Sequence, residues 1–321
     1  MTHWRGDPAL VEAVEQMLGS AHPVAGVAVI TPEGSMLARS VADPAADFEI
    51  GSVSKPITGM LYRAAVERGL VAETTTLGEL LPLTGHGAVE TVTLGSLATH
   101  RSGLPGLPRA MQPVRRTLKL LVRGANPYGE TLPELLEQTR GIGVGKGKPR
   151  YSNLGFQLLG HAVAAAEGAP YRELLGESFG LDLWAPTGGS ELRPTSLTGV
   201  SRLGRPRAAW VGEAIAPAGG IRATTATMRD LLGRVIDGTA PGVSALDPVA
   251  QIASRVQIGA GWLTLDHAGR AFTWHNGATG GFHSWIGLDR SAGVGAVVLT
   301  ATSRSVDRHG FALVERFATA D

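Results

Sequence analysis

The stretch Phe48-Glu49-Ile50-Gly51-Ser52-Val53-Ser54-Lys55-Pro56 decides how the rest of the chain is read. A short strand-like piece over residues 48–50 runs through Gly51 into Ser52, and Ile57, Met60, Leu61, Ala64 and Ala65 then recur at helical period until Gly69. Ser52 is therefore expected to open a buried helix. Lys55, three residues on, shares its face. Free N–H groups of the first turn favour negative charge developing above the serine, and Pro56 within that turn forfeits no helix hydrogen bond. A nucleophilic serine needs a base, and this spacing supplies one. Alone the pattern is weak, since a Ser-x-x-Lys arises by chance about once in a chain of this size.

Working outward, the residues before this stretch read as a hairpin. Val24 to Ile30 and Met36 to Val41 are β-rich and flank the turn signal Thr31-Pro32-Glu33-Gly34. Upstream, Leu10, Val11, Val14 and Leu18 give residues 8–18 one apolar helical face. Downstream, from about residue 70 to 237, helical pieces (132–138, 154–166, 171–177, 227–235) alternate with Gly- and Pro-rich connections. Residues 141–148, GIGVGKGK, lack the Gly-x4-Gly-Lys-Ser/Thr spacing of a phosphate loop and read as a connection. Strands return at 258–265, 271–275, 283–288 and 294–301, and a helix over 308–318 closes the chain. Short connections imply antiparallel neighbours, and a lone hairpin is not stable, so it joins the C-terminal strands in one sheet. The expected fold is α/β (α+β): an antiparallel sheet built from both chain ends and flanked by helices, with the two terminal helices on one face. Residues 1–69 and 238–321 form this part, residues 70–237 an inserted all-helical domain, and the site lies at their junction.

Composition narrows the function classes. The 321 residues are 43% hydrophobic with a net charge of +1, which gives no global argument for nucleic-acid or membrane partners. Cysteine is absent, and the nine histidines show no His-Glu-x-x-His or similar spacing, so neither a metal nor another cofactor is expected. The first twenty residues carry Arg5, Asp7, Glu12 and Glu15 without an apolar signal core, and no run reaches eighteen uncharged apolar residues. A cytoplasmic protein is expected. Gly199-Val200-Ser201-Arg202-Leu203-Gly204 misses the Gly-x-Ser-x-Gly nucleophile elbow by one residue.

Three features line up in chain order: Ser52 with Lys55, then Tyr151-Ser152-Asn153 at a helix start, then His275-Asn276-Gly277-Ala278-Thr279-Gly280-Gly281-Phe282 at the end of a strand. Taken singly, Tyr151 also reads as a core aromatic, Asn153 as a helix cap and His275 as a satisfied sheet histidine. Together they resemble the serine β-lactamase and penicillin-recognising family, most closely the class C β-lactamase-like branch that includes family VIII esterases and acyltransferases. The resemblance covers nearly the whole chain, including Thr99-His100-Arg101-Ser102-Gly103-Leu104-Pro105 and Ala218-Gly219-Gly220-Ile221-Arg222. It implies a β-lactamase/transpeptidase-like fold, Ser52 as the acylated nucleophile, Lys55 as its hydrogen-bonded partner, and Tyr151 as the phenolic base. It places Asn153, His275, Asn276 and Gly277 against substrate and makes the backbone N–H groups of Ser52 and Ala278 the oxyanion hole. His275 stands where β-lactamases usually have a lysine followed by Thr-Gly, a departure shared by many esterase-like relatives.

The chemistry of the residue types agrees. Two ammonium-capable neighbours and a helix N-terminus would favour a phenolate at Tyr151, while a desolvated Lys55 would serve equally as the neutral base. Two backbone donors on a tetrahedral oxygen supply on the order of several kcal/mol. A serine hydrolase acting on a small-molecule ester or amide leads. An acyltransferase using the same acyl-enzyme comes next, ahead of a β-lactamase or D,D-peptidase and a non-catalytic binding or sensor module. Residues 101–150 hold ten Lys and Arg against three Glu, a balance of +7 against −6 for the rest. Arg115, Arg116, Lys119 and Arg123, then Lys146, Lys148 and Arg150, suggest an anionic or carrier-bound acyl donor steered to the cleft.

Overall fold

The computed structural model describes residues 3–108, 111–112, 118–120, 122–267 and 269–318. Its main sheet has nine strands in the order β1-β3-β2-β11-β10-β9-β8-β7-β6, every pair antiparallel. The chain start supplies β1 (Arg5–Gly6), β2 (Ala25–Thr31) and β3 (Gly34–Arg39). The chain end supplies β6 (Ala250–Ala253), β7 (Val256–Ile258), β8 (Leu263–His267), β9 (Arg270–Ala278), β10 (His283–Asp289) and β11 (Val294–Thr300). The two ends meet where β2 pairs with β11, with Val27 opposite Val298. A two-stranded sheet, β4 (Asp47–Glu49) with β5 (Arg222–Thr224), stands apart.

Period-two alternation sends the strands' side chains into two cores. On one face Val27, Val29, Trp285 and Val298 pack with Leu10, Val14 and Leu18 of the N-terminal helix (Pro8–Leu18) and Leu313 and Val314 of the C-terminal helix (Asp307–Ala318). Asp7 caps the first of these by accepting from the N–H groups of Ala9 and Leu10, which suits the short polar side chain at that position. On the other face Ala28, Ile286, Leu288, Val297 and Leu299 join the larger core. The helix Thr225–Ile236, expected over residues 227–235, packs on β2 and β11 through this face. That core continues into the helices Ser54–Glu67 and Asn153–Glu167, which pack against each other at the centre of the molecule.

Three details differ from expectation. The strand expected over 258–265 is two strands, because Gly259–Trp262 turn the chain, and Gly261 (φ +78°) lies where a Cβ would meet the carbonyl of Lys55 at 2.8 Å. The stretch read as wholly helical contains β5. Ser52 sits in a 3-10 turn, Gly51–Val53, that leads into the helix Ser54–Glu67 rather than in its first turn.

Candidate active site

Ser52 is held where three backbone segments converge. Gly51 has φ +51°, a left-handed conformation that glycine adopts freely, and a Cβ there would lie 2.8 Å from the N atom of Ala278. A Cβ on Gly277 would lie 2.0 Å from the carbonyl oxygen of Ile50 and 3.0 Å from the N atom of Ser52. The end of β9 therefore touches the nucleophile turn backbone to backbone. Ser284 Oγ on β10 pins the same place by donating to Ile50 O at 2.6 Å. This contact brings the backbone N atoms of Ser52 and Ala278 into the same neighbourhood.

Lys55 is fully buried. Its Nζ lies 3.0 Å from Ser52 Oγ and donates to the carbonyl oxygen of Ala218 at 2.6 Å. Among the described residues no carboxylate pairs with it, and burial drives its pKa well below the ordinary lysine value. Tyr151 presents its hydroxyl to Ser52, and the amino end of Lys55 stands 4.8 Å from the centre of its ring. Half of the residue's surface faces solvent. Its hydroxyl is nevertheless desolvated against Ser52, and its pKa is pushed up. Of the two bases that the sequence left open, these directions favour a neutral Lys55 over a Tyr151 phenolate.

Two histidines complete the surround. His275 is buried, its pKa is pushed down to about 3 by burial and then by Lys55, and its Nδ1 is engaged with the carbonyl of Asn276 at 2.6 Å. It is neutral. His100 is also buried, with its pKa well below the ordinary value from burial, then Lys55, then His275. Its ring lies between Tyr151 (4.6 Å between centroids) and Phe156 (4.8 Å), and its Nδ1 accepts from the N–H of Ser152 at 3.3 Å. His100 has φ +56°, in the left-handed region where few non-glycine residues sit, and its carbonyl accepts from Arg150 N at 2.9 Å.

Ser152 is the cap of the helix Asn153–Glu167: its Oγ accepts from Gly155 N at 2.9 Å and donates to Pro105 O at 2.7 Å. That frees Asn153, whose Nδ2 donates to Tyr128 Oη at 3.2 Å. Tyr128 stacks edge-on to Trp210 at 4.9 Å, which adds an aromatic wall that sequence reasoning did not identify. Asn276 is placed elsewhere. It shares the strand face of Phe272 and Trp274, and its Nδ2 donates to Asp307 Oδ2 at 2.9 Å beside the C-terminal helix. Alternation along β9 was the signal, since it separates Asn276 from His275 and Gly277.

The residues brought around Ser52 are therefore Lys55, Tyr151, His275, Gly277 and Ala278, with Asn153 reached through Tyr128 and His100 behind Tyr151. Arg115 and Arg116 lie outside the described residues. Lys119, Lys146, Lys148 and Arg150 are exposed, and Arg150 runs directly into Tyr151. Among the described residues no group of three His, Asp or Glu is placed to hold a metal ion, and no helix is long and apolar enough to cross a membrane.

A protein-family model described as Beta-lactamase matches residues 10–320. Among curated protein sequences nothing matches. Solved structures with this fold include a class C beta lactamase from Rhodobacter sphaeroides, at TM-score 0.76 and 19% identity, covering 97% of this chain and 98% of that one. A Beta-Lactamase/D-Alanine Carboxypeptidase from Pseudomonas syringae superposes at TM-score 0.79 and 15% identity, covering 98% and 99%.

Proposed function

The chain belongs to the β-lactamase family, and from that premise we propose that it is a serine hydrolase that forms an acyl-enzyme on Ser52 from an ester or amide of a small molecule. The observation that carries the reading is the buried Lys55 amine, 3.0 Å from Ser52 Oγ and without a carboxylate partner among the described residues. Burial lowers the pKa of this amine and so raises its unprotonated fraction, which can take the serine proton. In acylation Ser52 Oγ bonds to the carbonyl carbon as its proton passes to Lys55. The N–H groups of Ser52 and Ala278 hold the resulting oxyanion. When the carbon–leaving-group bond breaks, Tyr151 gives its proton to the leaving oxygen or nitrogen and is reprotonated from Lys55. Water enters by the reverse sequence and releases the acid.

The three nitrogen bases nearest the serine, Lys55, His100 and His275, all favour the neutral form. The position at His275 therefore offers no cation to a carboxylate next to the scissile bond, which favours an uncharged ester or amide over a β-lactam or a peptide with a terminal carboxylate. Turnover of p-nitrophenyl acetate, p-nitrophenyl butyrate and nitrocefin by the wild-type protein and Ser52→Ala tests this. The expected result is ester hydrolysis that Ser52→Ala abolishes, with nitrocefin at least about a hundredfold poorer. Nitrocefin as the better substrate would contradict it.

A further inference from the structure

β4 and β5 carry a buried charge cluster that no step above uses. Arg222 is fully buried; its Nε donates to Asp47, its Nη1 to Glu49 Oε1 at 3.2 Å, and its Nη2 to the carbonyls of Asp47 at 3.2 Å and Leu197 at 3.0 Å. Asp47 Oδ2 accepts from Ser196 Oγ at 2.9 Å. Two carboxylates around one guanidinium in a dry interior gain little stability over apolar side chains of the same volume. Stability alone therefore leaves the placement of the cluster unexplained.

Glu49 shows what the placement does. Besides Arg222 it accepts from the backbone N–H of Trp210 at 3.0 Å, and the hydroxyl of Thr279 stands close enough to act on its carboxylate. Thr279 Oγ1 in turn accepts from the N–H of Phe282 at 3.2 Å, closing the turn that follows Ala278. Glu49 lies three residues before Ser52, and Thr279 one residue after Ala278. The next residue, Ile50, is bonded to β5's flank by its N–H to Ile221 O at 3.1 Å, and Ile221 N donates to Ser54 Oγ at 3.3 Å. One buried carboxylate is thus tied by short covalent paths to both N–H groups that would face an oxyanion. Such donors act only within about 2.7–3.1 Å of the developing charge.

We propose that Glu49 is a positioning residue that sets the spacing of the two oxyanion-hole donors, Ser52 N and Ala278 N, through its contact with the Thr279 side chain, with Arg222 holding its carboxylate. The inference rests on the reading of Ser52 as the acylated nucleophile. Glu49→Gln keeps volume and an acceptor oxygen but removes the charge that Arg222 holds. Thr279→Val removes the linking hydroxyl, and Thr279→Ser keeps it.

The test counts active sites first, by the amount of Ser52 acylated in the burst with p-nitrophenyl acetate, so that unfolded protein does not enter. Per active site, Glu49→Gln and Thr279→Val should each lower kcat/KM about tenfold with KM within about threefold, less than removing a donor outright. Affinity for phenylboronic acid, whose tetrahedral adduct on Ser52 fills the same hole, should fall by the same factor. Thr279→Ser should restore both, and the double variant should lose no more than the worse single one. If the variants lower only the melting temperature and the count of active sites, the cluster is structural and the proposal falls. Where Glu49→Gln does not fold, the two Thr279 variants decide by the same readouts. A wild-type protein that binds phenylboronic acid no better than Ser52→Ala overturns the acyl-enzyme reading itself and the proposal with it.

Discussion

Lys55 Nζ and the carbonyl oxygen of Ala218, 163 residues apart in the chain, lie 2.6 Å from each other. The bond fixes the amine over Ser52 from the opposite side of the cleft and satisfies one of its donors without adding a negative charge. A carboxylate in Ala218's place would keep Lys55 protonated and useless as a base. A carbonyl orients it and leaves burial to lower its pKa.

The first prediction is a pH profile. Because Lys55 must be unprotonated, kcat/KM for a neutral ester should rise with pH through the depressed Lys55 pKa and be lost below it. Tyr151, its pKa raised, should stay protonated throughout, and His275, titrating near pH 3, should add nothing at neutral pH. Tyr151→Phe and Lys55→Ala should each cost at least about a hundredfold, and together far less than the product, since both serve one proton path. The rising limb should stay in place in Tyr151→Phe. A limb that vanishes with the phenol would put the base on Tyr151 instead.

The contact between β9 and the nucleophile turn leaves no room for a methyl group. Gly277→Ala would drive a Cβ to 2.0 Å from Ile50 O, so the strand end must move away from Ser52. The expected loss in kcat/KM is at least about a hundredfold, the scale of losing one oxyanion donor, with the circular dichroism of the wild type retained. Activity within a few-fold of wild type would show that Ala278 does not serve the oxyanion.

His100 is predicted to orient Tyr151 rather than to exchange protons. Removing its ring in His100→Ala takes away the stacking surface and the acceptor for Ser152 N. Turnover should fall about tenfold or more, the scale of lost orientation, while the pH profile keeps its shape. His100→Asn, which tolerates the left-handed backbone, should be more stable to heat than His100→Ala. A shift of the pH limb in either variant would mean that His100 titrates during the reaction.

Steering by the basic block can be examined on the described residues Lys148 and Arg150, which are exposed and precede Tyr151. The proposal is that an anionic group remote from the scissile bond is drawn to this rim. Lys148→Gln with Arg150→Gln should lower kcat/KM for a succinyl or phosphorylated ester and flatten its salt dependence, because exposed charges are screened within about 8 Å at physiological salt. A neutral ester should be unaffected. Equal losses on both would assign these side chains a structural role.

Long periodic elements were legible in the sequence, and short or irregular ones were not. The N-terminal helix is found over Pro8–Leu18 because an apolar stripe marks it, and the hairpin turns where Thr31-Pro32-Glu33-Gly34 said it would. β1, β5, β6 and β7 have two to four residues each, too few to show a period, whereas the equally short β4 was read over residues 48–50 from its apolar lead into Gly51 and Ser52. Ser52, Lys55 and Tyr151 come together because the spacing, the helix start and the chain order each carry a signal. The choice of base was not legible, since it depends on desolvation, which is a property of the packed state. Nor was His100's place, since a left-handed histidine has no sequence mark. The cluster of Asp47, Glu49 and Arg222 left a trace that went unread: two carboxylates alternate on the strand before the nucleophile and demand a buried cation elsewhere.

The central claim, that Ser52 becomes acylated, is tested most directly by intact-protein mass spectrometry after incubation with a fluorophosphonate, followed by peptide mapping. One adduct per chain on Ser52, absent from Ser52→Ala and slowed in Lys55→Ala, is the predicted result. An adduct on any other serine, or unchanged labelling of Ser52→Ala, would contradict it.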